Sequence, residues 1–431
     1  SLSARRLPAT LAVPGRDTAL ANAVLGAADE APSSSCAAVT AAGGRRIIDK
    51  QAAAALTPAS TQKVVTAWAA LRLLGPDHKL HTSLASVTPP SGGVLTGDLY
   101  LVGGGDPTLE TAAHAASFVA QPHLHTDLAA LADGLVARGV RQLRGRLVGD
   151  ESRYDAVRYV GSWPRRYVSQ NQTGPLSALT VNRGFTTFPA SGQEFGGSGA
   201  RRPAEEPALH AAQVLRDLLA ERGVSVSGVA TAVGVAPPGA SELAAVDSAP
   251  LSELVGHMLR ESDNHIAESL VKEIGKVKGG AGATAAGVAA IAQALGEAGF
   301  AAPEQALLDG SGLDPGNRLS CSQLVSVLVN AGRSSKLGEG LAVAGQSGTL
   351  VERLGATAAA GRVRAKTGSL PEVSSLAGFV DTAPGEVVVF ASIVNGRDPD
   401  AYKQLEDEIA QALVTYPVGP SLAELSPKAP A

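Results

Sequence analysis

The chain has 431 residues, 45% hydrophobic and 18% charged, so it is long enough for two or three folded domains and too apolar to be disordered. A net charge of −4 and a pI near 6.1 lack the basic balance of a nucleic-acid binder. No apolar run approaches the roughly 18 residues of a membrane span, so none is expected in this sequence.

Ser1–Pro8 is polar and basic and lacks the apolar segment of a signal peptide. That leaves two readings, a cytosolic protein or an exported one whose leader is absent from this sequence. The spacing of Leu20, Ala23, Val24 and Leu25 predicts a helix over 15–31. Ser35–Asp49 reads as a hairpin turning at Gly43-Gly44. Thr57-Pro58-Ala59-Ser60 is a helix-start signal, and Val64, Trp68, Leu71 and Leu74 carry that helix to Gly75-Pro76.

From about Leu84 to Leu243 the character changes. Short strands (Gly97–Val102, Leu143–Val148, Val224–Val235) alternate with helices (Thr126–Arg138, Ala208–Arg222), and loops cluster at Pro89–Gly93, Ala190–Gly199 and Pro237–Ser241. Pro250–Gly275 returns to strong helix, followed by a second at Thr284–Gly299. Arg362–Lys366, Ser374–Val380 and Glu386–Val394 then read as consecutive antiparallel strands covered by a helix over Ala401–Leu413. The expected fold is mixed α/β. Residues 1–84 and 250–416 form one discontinuous domain, an antiparallel sheet flanked by helices. Residues 85–249 form one or two inserted mixed α/β domains, and 417–431 a loose tail.

Three short motifs carry chemistry. In Ser60-Thr61-Gln62-Lys63 a weak serine nucleophile needs a base beside it, and three residues along a helix place Lys63 on the same face. Ser60 at the helix start would meet free N–H groups and the positive end of the dipole. Lys63 must lose its proton to act as a base, which burial or cationic neighbours would favour. Alone the pattern is weak: Ser269-Leu270-Val271-Lys272 repeats it inside a helix, and an ordinary helix cap explains Ser60 as well. Ser262-Asp263-Asn264 follows the helix Leu251–Arg260. Its hydroxyl can shuttle a proton and its amide can hold a substrate carbonyl, although a polar turn is the plain alternative and Ser169-Gln170-Asn171 has the same form. Lys366-Thr367-Gly368 ends the strand Arg362–Lys366. On an edge strand it could pair with an extended peptide, with Gly368 allowing close approach, Lys366 supplying positive charge and Thr367 a hydroxyl for a terminal carboxylate. The backbone N–H groups of Ser60 and Ser369 would form an oxyanion hole. The three motifs occurring together and in this order separate signal from decoy.

With these residues the chain resembles the class C low-molecular-mass penicillin-binding proteins, the D-alanyl-D-alanine carboxypeptidase/endopeptidase family. The long gap between Ser60 and Ser262 matches, as do Leu99–Leu109, Pro175–Asn182, Asp309-Gly310-Ser311-Gly312-Leu313, Ser347-Gly348-Thr349-Leu350 and Ala365–Gly368. The resemblance covers about residues 20 to 415. It implies a penicillin-binding transpeptidase-like domain with insertions and an acyl-enzyme on Ser60. It implies Lys63 as base, Ser262 and Asn264 as second motif and Lys366, Thr367 and Gly368 as third. It also implies peptidoglycan stem peptides as substrate, β-lactams as covalent inhibitors, and an exported enzyme. Asp314-Pro315 stands where the family often has Ser-Arg, and Tyr154-Asp155 to Trp163-Pro164 is the candidate inserted stretch of the acyl-side pocket, with Asp155 as a substrate-binding residue. The rival readings are a β-lactamase and an inert wall-binding protein.

Other features point elsewhere. Gly103-Gly104-Gly105-Asp106 lacks the spacing of a phosphate loop and reads as a turn. His78, His81, His114, His123 and His125 lack a zinc signature and read as exposed loop residues, so no metal or cofactor is expected. No Gly-x-Ser-x-Gly elbow occurs. Arg45-Arg46, Arg165-Arg166 and Arg201-Arg202 read as solvated surface. Cys36 and Cys321 permit one disulfide without requiring it.

Overall fold

The computed structural model of the chain describes residues 16–24, 32–41, 44–189, 201–226, 228–383 and 385–416. A six-stranded sheet is built from β1 (Ser35–Thr40), β2 (Arg46–Lys50), β3 (Ala342–Val343), β4 (Val363–Leu370), β5 (Val373–Asp381) and β6 (Val387–Asn395). Its order is β3-β4-β5-β6-β1-β2, antiparallel throughout. The central strands are covered on both sides, so their sequence runs apolar with little polar alternation. In β6, Val389, Ala391 and Ile393 join one core cluster while Val388 and Phe390 join the other, as the two-residue period of a strand demands.

The first cluster packs against α1 (Gln62–Leu73), α2 (Leu251–Glu261), α3 (Asn264–Lys278), α4 (Thr284–Glu297) and α5 (Cys321–Ala331). The second packs against α6 (Pro399–Val414), whose Leu405, Ile409 and Leu413 repeat every four residues, and against the helical segment 16–24. The predicted remainder of that first helix, 25–31, lies outside the described residues, as do Gly43, the loop 190–200 and the tail 417–431. Cys36 and Cys321 are joined in a disulfide that ties β1 to the start of α5.

A second sheet has five strands in the order Thr231–Val233, Leu147–Asp150, Leu99–Val102, His81–Ser86 and Ser241–Asp247. The first two neighbouring pairs are parallel and the last two antiparallel. Helices Ala129–Ala137 and Pro207–Glu221 pack on it through Leu131, Leu135, Leu215 and Leu219. Two strands of this sheet, His81–Ser86 and Ser241–Asp247, were not expected. They are rich in small and polar residues, and their pairing is what makes them strands.

Two boundaries differ from expectation in ways that matter for the site. The run Pro250–Gly275 is two helices, broken where Ser262 adopts a left-handed conformation (φ 60°, ψ 36°) and Asp263 caps α3 by accepting from the Ile266 N–H at 3.0 Å. The strand predicted to end at Lys366 continues to Leu370, because Gly368 and Ser369 pair with Ser375 and Ser374 of β5.

Candidate active site

Ser60 sits in a single 3-10 turn, Ala59–Thr61, that feeds directly into α1. Ala59 just before it has φ +48°, a left-handed conformation costly for a residue with a Cβ. One helical turn on, Lys63 is fully buried. Its Nζ donates to Ser60 Oγ at 2.9 Å, to Asn264 Oδ1 at 2.7 Å and to the Ser311 carbonyl at 2.7 Å. Burial lowers its pKa to about 8, against the opposing pull of Asp309, Glu268 and Asp263. The structure thus brings Ser60, Lys63 and Asn264 to one point.

Gly368 is the second convergence. A Cβ placed on it would run into Ser375 Oγ and stand 3.0 Å from both the Pro58 carbonyl and the Ser60 nitrogen. Strand β4 therefore crosses the head of the Ser60 turn at a distance that only glycine allows. Ser375 Oγ, which donates to the Pro58 carbonyl at 2.7 Å, ties the same turn to β5. Partner strand β3 pairs with Arg364 and Ala365, so among the described residues no strand pairs with Lys366–Leu370 on that side. Lys366 is buried, donates to its neighbouring Thr367 carbonyl at 2.7 Å, and is held well below the usual lysine pKa by burial and then by Lys63. The Thr367 hydroxyl donates to Thr349 Oγ1 at 2.8 Å. Ser60, Ser262, Asn264, Thr367 and Ser369 line one groove of about 670 Å3.

Beneath Ser60 lies a brace that the sequence did not announce. The Asp309–Leu313 loop passes under α1. Asp309 accepts from the Gly312 and Asp314 N–H groups, from Asn317 Nδ2 and from Trp163 Nε1, all at 2.7–2.8 Å. Thr66 Oγ1 donates to the Gly310 carbonyl at 2.7 Å. Glu268, one turn along α3 from Asn264, accepts from the Gly310 and Ser311 N–H groups at 3.0 and 2.7 Å. The second motif is held from the other side: the partly buried Arg183 pairs with both Asp263 and Glu110. Asn264 Nδ2 donates to the Gln172 carbonyl at 2.8 Å.

Asp155 is a correction. It lies away from the groove, where its carboxylate is ion-paired with Lys272 of the second Ser-x-x-Lys, a lysine buried in α3. Its own stretch of chain reaches the site through Trp163, on Asp309, and then through Arg166 and Tyr167, which line the groove. Asp314, at the departure from the family pattern, accepts from Ser162 Oγ. The histidines need correction too. His114 and His123 are buried beside Glu110 instead of exposed. Gly103 and Gly104 press on the backbone of Ala178 and His81, which fits a packed turn. Among the described residues no group of acidic, histidine or cysteine side chains is placed to hold a metal, and no helix is long and apolar enough to cross a membrane.

Comparison with known proteins agrees with this architecture. The chain is 32% identical to the D-alanyl-D-alanine carboxypeptidase of Actinomadura sp. (strain R39), over 84% of this chain and 77% of that one. It is 32% identical to carboxypeptidase DacB of Mycolicibacterium smegmatis, over 80% and 72%. In fold it is similar to penicillin binding protein 4 of Haemophilus influenzae, with TM-score 0.77 and 24% identity over 91% of this chain and 99% of that one. The model of the D-Ala-D-Ala carboxypeptidase 3 (S13) family matches residues 19–200 and 188–416, and the chain belongs to that family.

Proposed function

We propose that the protein is an exported serine D-Ala-D-Ala carboxypeptidase acting on peptidoglycan stem peptides, with Ser60 as the nucleophile. The observation that carries the reading is the 2.9 Å contact between Lys63 Nζ and Ser60 Oγ, with Lys63 buried and its pKa lowered to about 8. A neutral amine there accepts the hydroxyl proton as Ser60 Oγ attacks the carbonyl of the penultimate D-Ala. The N–H groups of Ser60 and Ser369 hold the resulting oxyanion. Ser262, beside Asn264, relays the proton to the departing D-Ala nitrogen, and the amide of Asn264 orients the acyl side. The hydroxyls of Thr367 and Thr349 receive the terminal carboxylate, and the arriving anion favours the protonated form of the buried Lys366 behind them. Water then hydrolyses the ester on Ser60, with Lys63 again as base.

Supporting the substrate class are the family, the curated carboxypeptidase relatives, and a similar Haemophilus influenzae fold solved with a β-lactam. The division into a peptidase unit and an insert, drawn from sequence at residues 1–84 and 250–416 against 85–249, is part of the proposal, with its first boundary moved to about residue 80 because His81–Ser86 pairs within the second sheet. In the test, purified protein is treated with a penicillin, weighed intact and mapped, and D-Ala release is followed on a peptide ending in D-Ala-D-Ala. The expected result is one lasting adduct on Ser60, D-Ala release, and loss of both in Ser60→Ala. Rapid turnover of the drug would make it a β-lactamase; neither adduct nor release would leave a wall-binding protein.

A further inference from the structure

Glu268 takes no part in the chemistry above, yet it is fully buried one helical turn from Asn264 and next to the Lys63 brace. Its Oε1 accepts the Gly310 and Ser311 N–H groups, and the carbonyl of Ser311 accepts from Lys63 Nζ. A single residue, Ser311, therefore joins the Glu268 carboxyl, through its N–H, to the amine beside Ser60, through its carbonyl. The second oxygen, Oε2, is buried and has no hydrogen-bond partner. A carboxylate in that position leaves a full charge poorly compensated, which a buried site disfavours.

The neighbouring buried carboxyl, Asp309, is placed differently. Backbone and side-chain N–H donors satisfy both of its oxygens, including Trp163 Nε1 and Asn317 Nδ2. Burial raises the Asp309 pKa as well, but that donor set opposes the rise, whereas Glu268 has donors on Oε1 alone, so the shared proton falls to Glu268. Burial, and then Asp309, raise the Glu268 pKa to about 8. Asp309 on the loop acts on Glu268, and Glu268, Asp309 and Asp263, the cap of α3, act together on Lys63; His265 and Lys272 lie on the same helix as Glu268, and Lys366 on β4 acts on Lys63 in turn.

We infer that Glu268 is a positioning residue that governs the charge of Lys63: protonated, it leaves the amine free to be neutral, and ionised, it holds a proton on that amine. The two groups share their protons, so the base is not set by Lys63 alone. This deepens the proposed function and rests on it, because it takes Lys63 as the base for Ser60.

The test is the pH dependence of the acylation rate constant of Ser60 with a fluorescent penicillin, for the wild type and Glu268→Gln. Glutamine keeps the shape and the acceptor for both N–H groups but cannot ionise. With the carboxyl gone, no anion forms there to retain the lysine proton. The ascending limb should move to lower pH by about one unit, read as a several-fold to roughly tenfold faster acylation near the wild-type midpoint. A merely structural role would scale the rate equally at every pH. Profiles that superimpose after scaling would overturn the inference while leaving Ser60 and Lys63 in place. Absence of label at any pH in the wild type would instead remove the proposed function, and this inference with it. Should Glu268→Gln fail to fold, infrared spectra of the wild-type protein decide. A protonated-carboxyl band that is also present in Glu406→Gln, and so does not come from the other buried glutamate with a pKa of about 7, and that is lost through about pH 8 supports the inference; absence of that band at neutral pH refutes it.

Discussion

Gly368→Ala isolates the approach of β4 to the nucleophile. The added methyl would stand 3.0 Å from the Pro58 carbonyl and the Ser60 nitrogen, and would collide with Ser375 Oγ. Ordinary contacts at a Cβ start near 3.4 Å, so β4 and the Ser60 turn must part by several tenths of an ångström even if Ser375 rotates away. Rotation breaks the 2.7 Å bond from Ser375 to Pro58, worth about 1 kcal/mol. The larger loss falls on catalysis. Ser369, the next residue, brings its N–H to the oxyanion only through this spacing, and loss of one oxyanion donor costs about 10²- to 10³-fold. Acylation by a fluorescent penicillin and D-Ala release should both fall by about two orders of magnitude. Stability should fall by only about 1 to 2 kcal/mol, because the glycine is at the sheet margin and its φ is not left-handed. Adding Ser375→Ala removes the collision but not the two 3.0 Å contacts, so the double variant should regain part of the rate. Acylation of Gly368→Ala within threefold of wild type would refute the claim that the oxyanion hole depends on this crossing.

Lys63→Met tests the lysine by its titration. The folded pKa of about 8 lies below the unfolded value of 10.5, so between those pH values the unfolded chain binds a proton that the folded one has released. Wild-type stability relative to the variant should rise by roughly 2 kcal/mol from pH 7 to pH 10, at 1.36 kcal/mol per unit. Denaturation of both proteins across that range measures it, and a constant difference would contradict the depressed pKa. Arg183→Ala leaves the buried carboxylates of Asp263 and Glu110 without their shared cation. It should cost about 3 to 5 kcal/mol in urea denaturation and slow penicillin acylation. Arg183→Lys should not restore either, since one ammonium cannot reproduce the guanidinium fork. Replacing both Cys36 and Cys321 by alanine should cost about 2 to 5 kcal/mol of thermal or chemical stability and leave the acylation chemistry of the folded fraction intact.

The three candidate motifs were legible because each is local. Lys63 in the first turn of α1 lies one turn past Ser60 in the 3-10 segment that leads into it, and Ser262-Asp263-Asn264 is a helix break written in its own residues. What escaped was set by tertiary contacts. Gly368 and Ser369 look like a strand stop, yet pairing with Ser375 and Ser374 carries β4 through them. Nothing in the sequence marks Glu268 and Asp309 as buried or Arg183 as largely enclosed, since acidic and basic residues are ordinarily surface residues and only the packed structure supplies their partners. The one available signal was position: Glu268 follows Asn264 by four residues and so shares its face. Asp155 misled for the reverse reason. It lies in the right stretch of chain but points at Lys272, and the groove is reached eight to twelve residues later through Trp163, Arg166 and Tyr167.

These contacts also fix what the segment between the first two motifs does for the site. Trp163 bonds Asp309 under the Lys63 brace, the carbonyl of Gln172 holds the Asn264 amide, and Arg183 clamps Asp263. All three donors or acceptors come from residues 85–249, and each lands within one residue of a motif or on the loop that supports one. Ser262 occupies a left-handed conformation that a serine adopts only under constraint, and its two helices alone supply no bond to its side chain. The constraint comes from Asp263, whose carboxylate both caps α3 and receives Arg183. Release of Arg183 would free that carboxylate to turn, and the serine beside it would relax toward a helical conformation, joining α2 to α3 and withdrawing its hydroxyl from the groove. The segment between the first two motifs is thus a structural support of the second motif as well as a wall of the cleft.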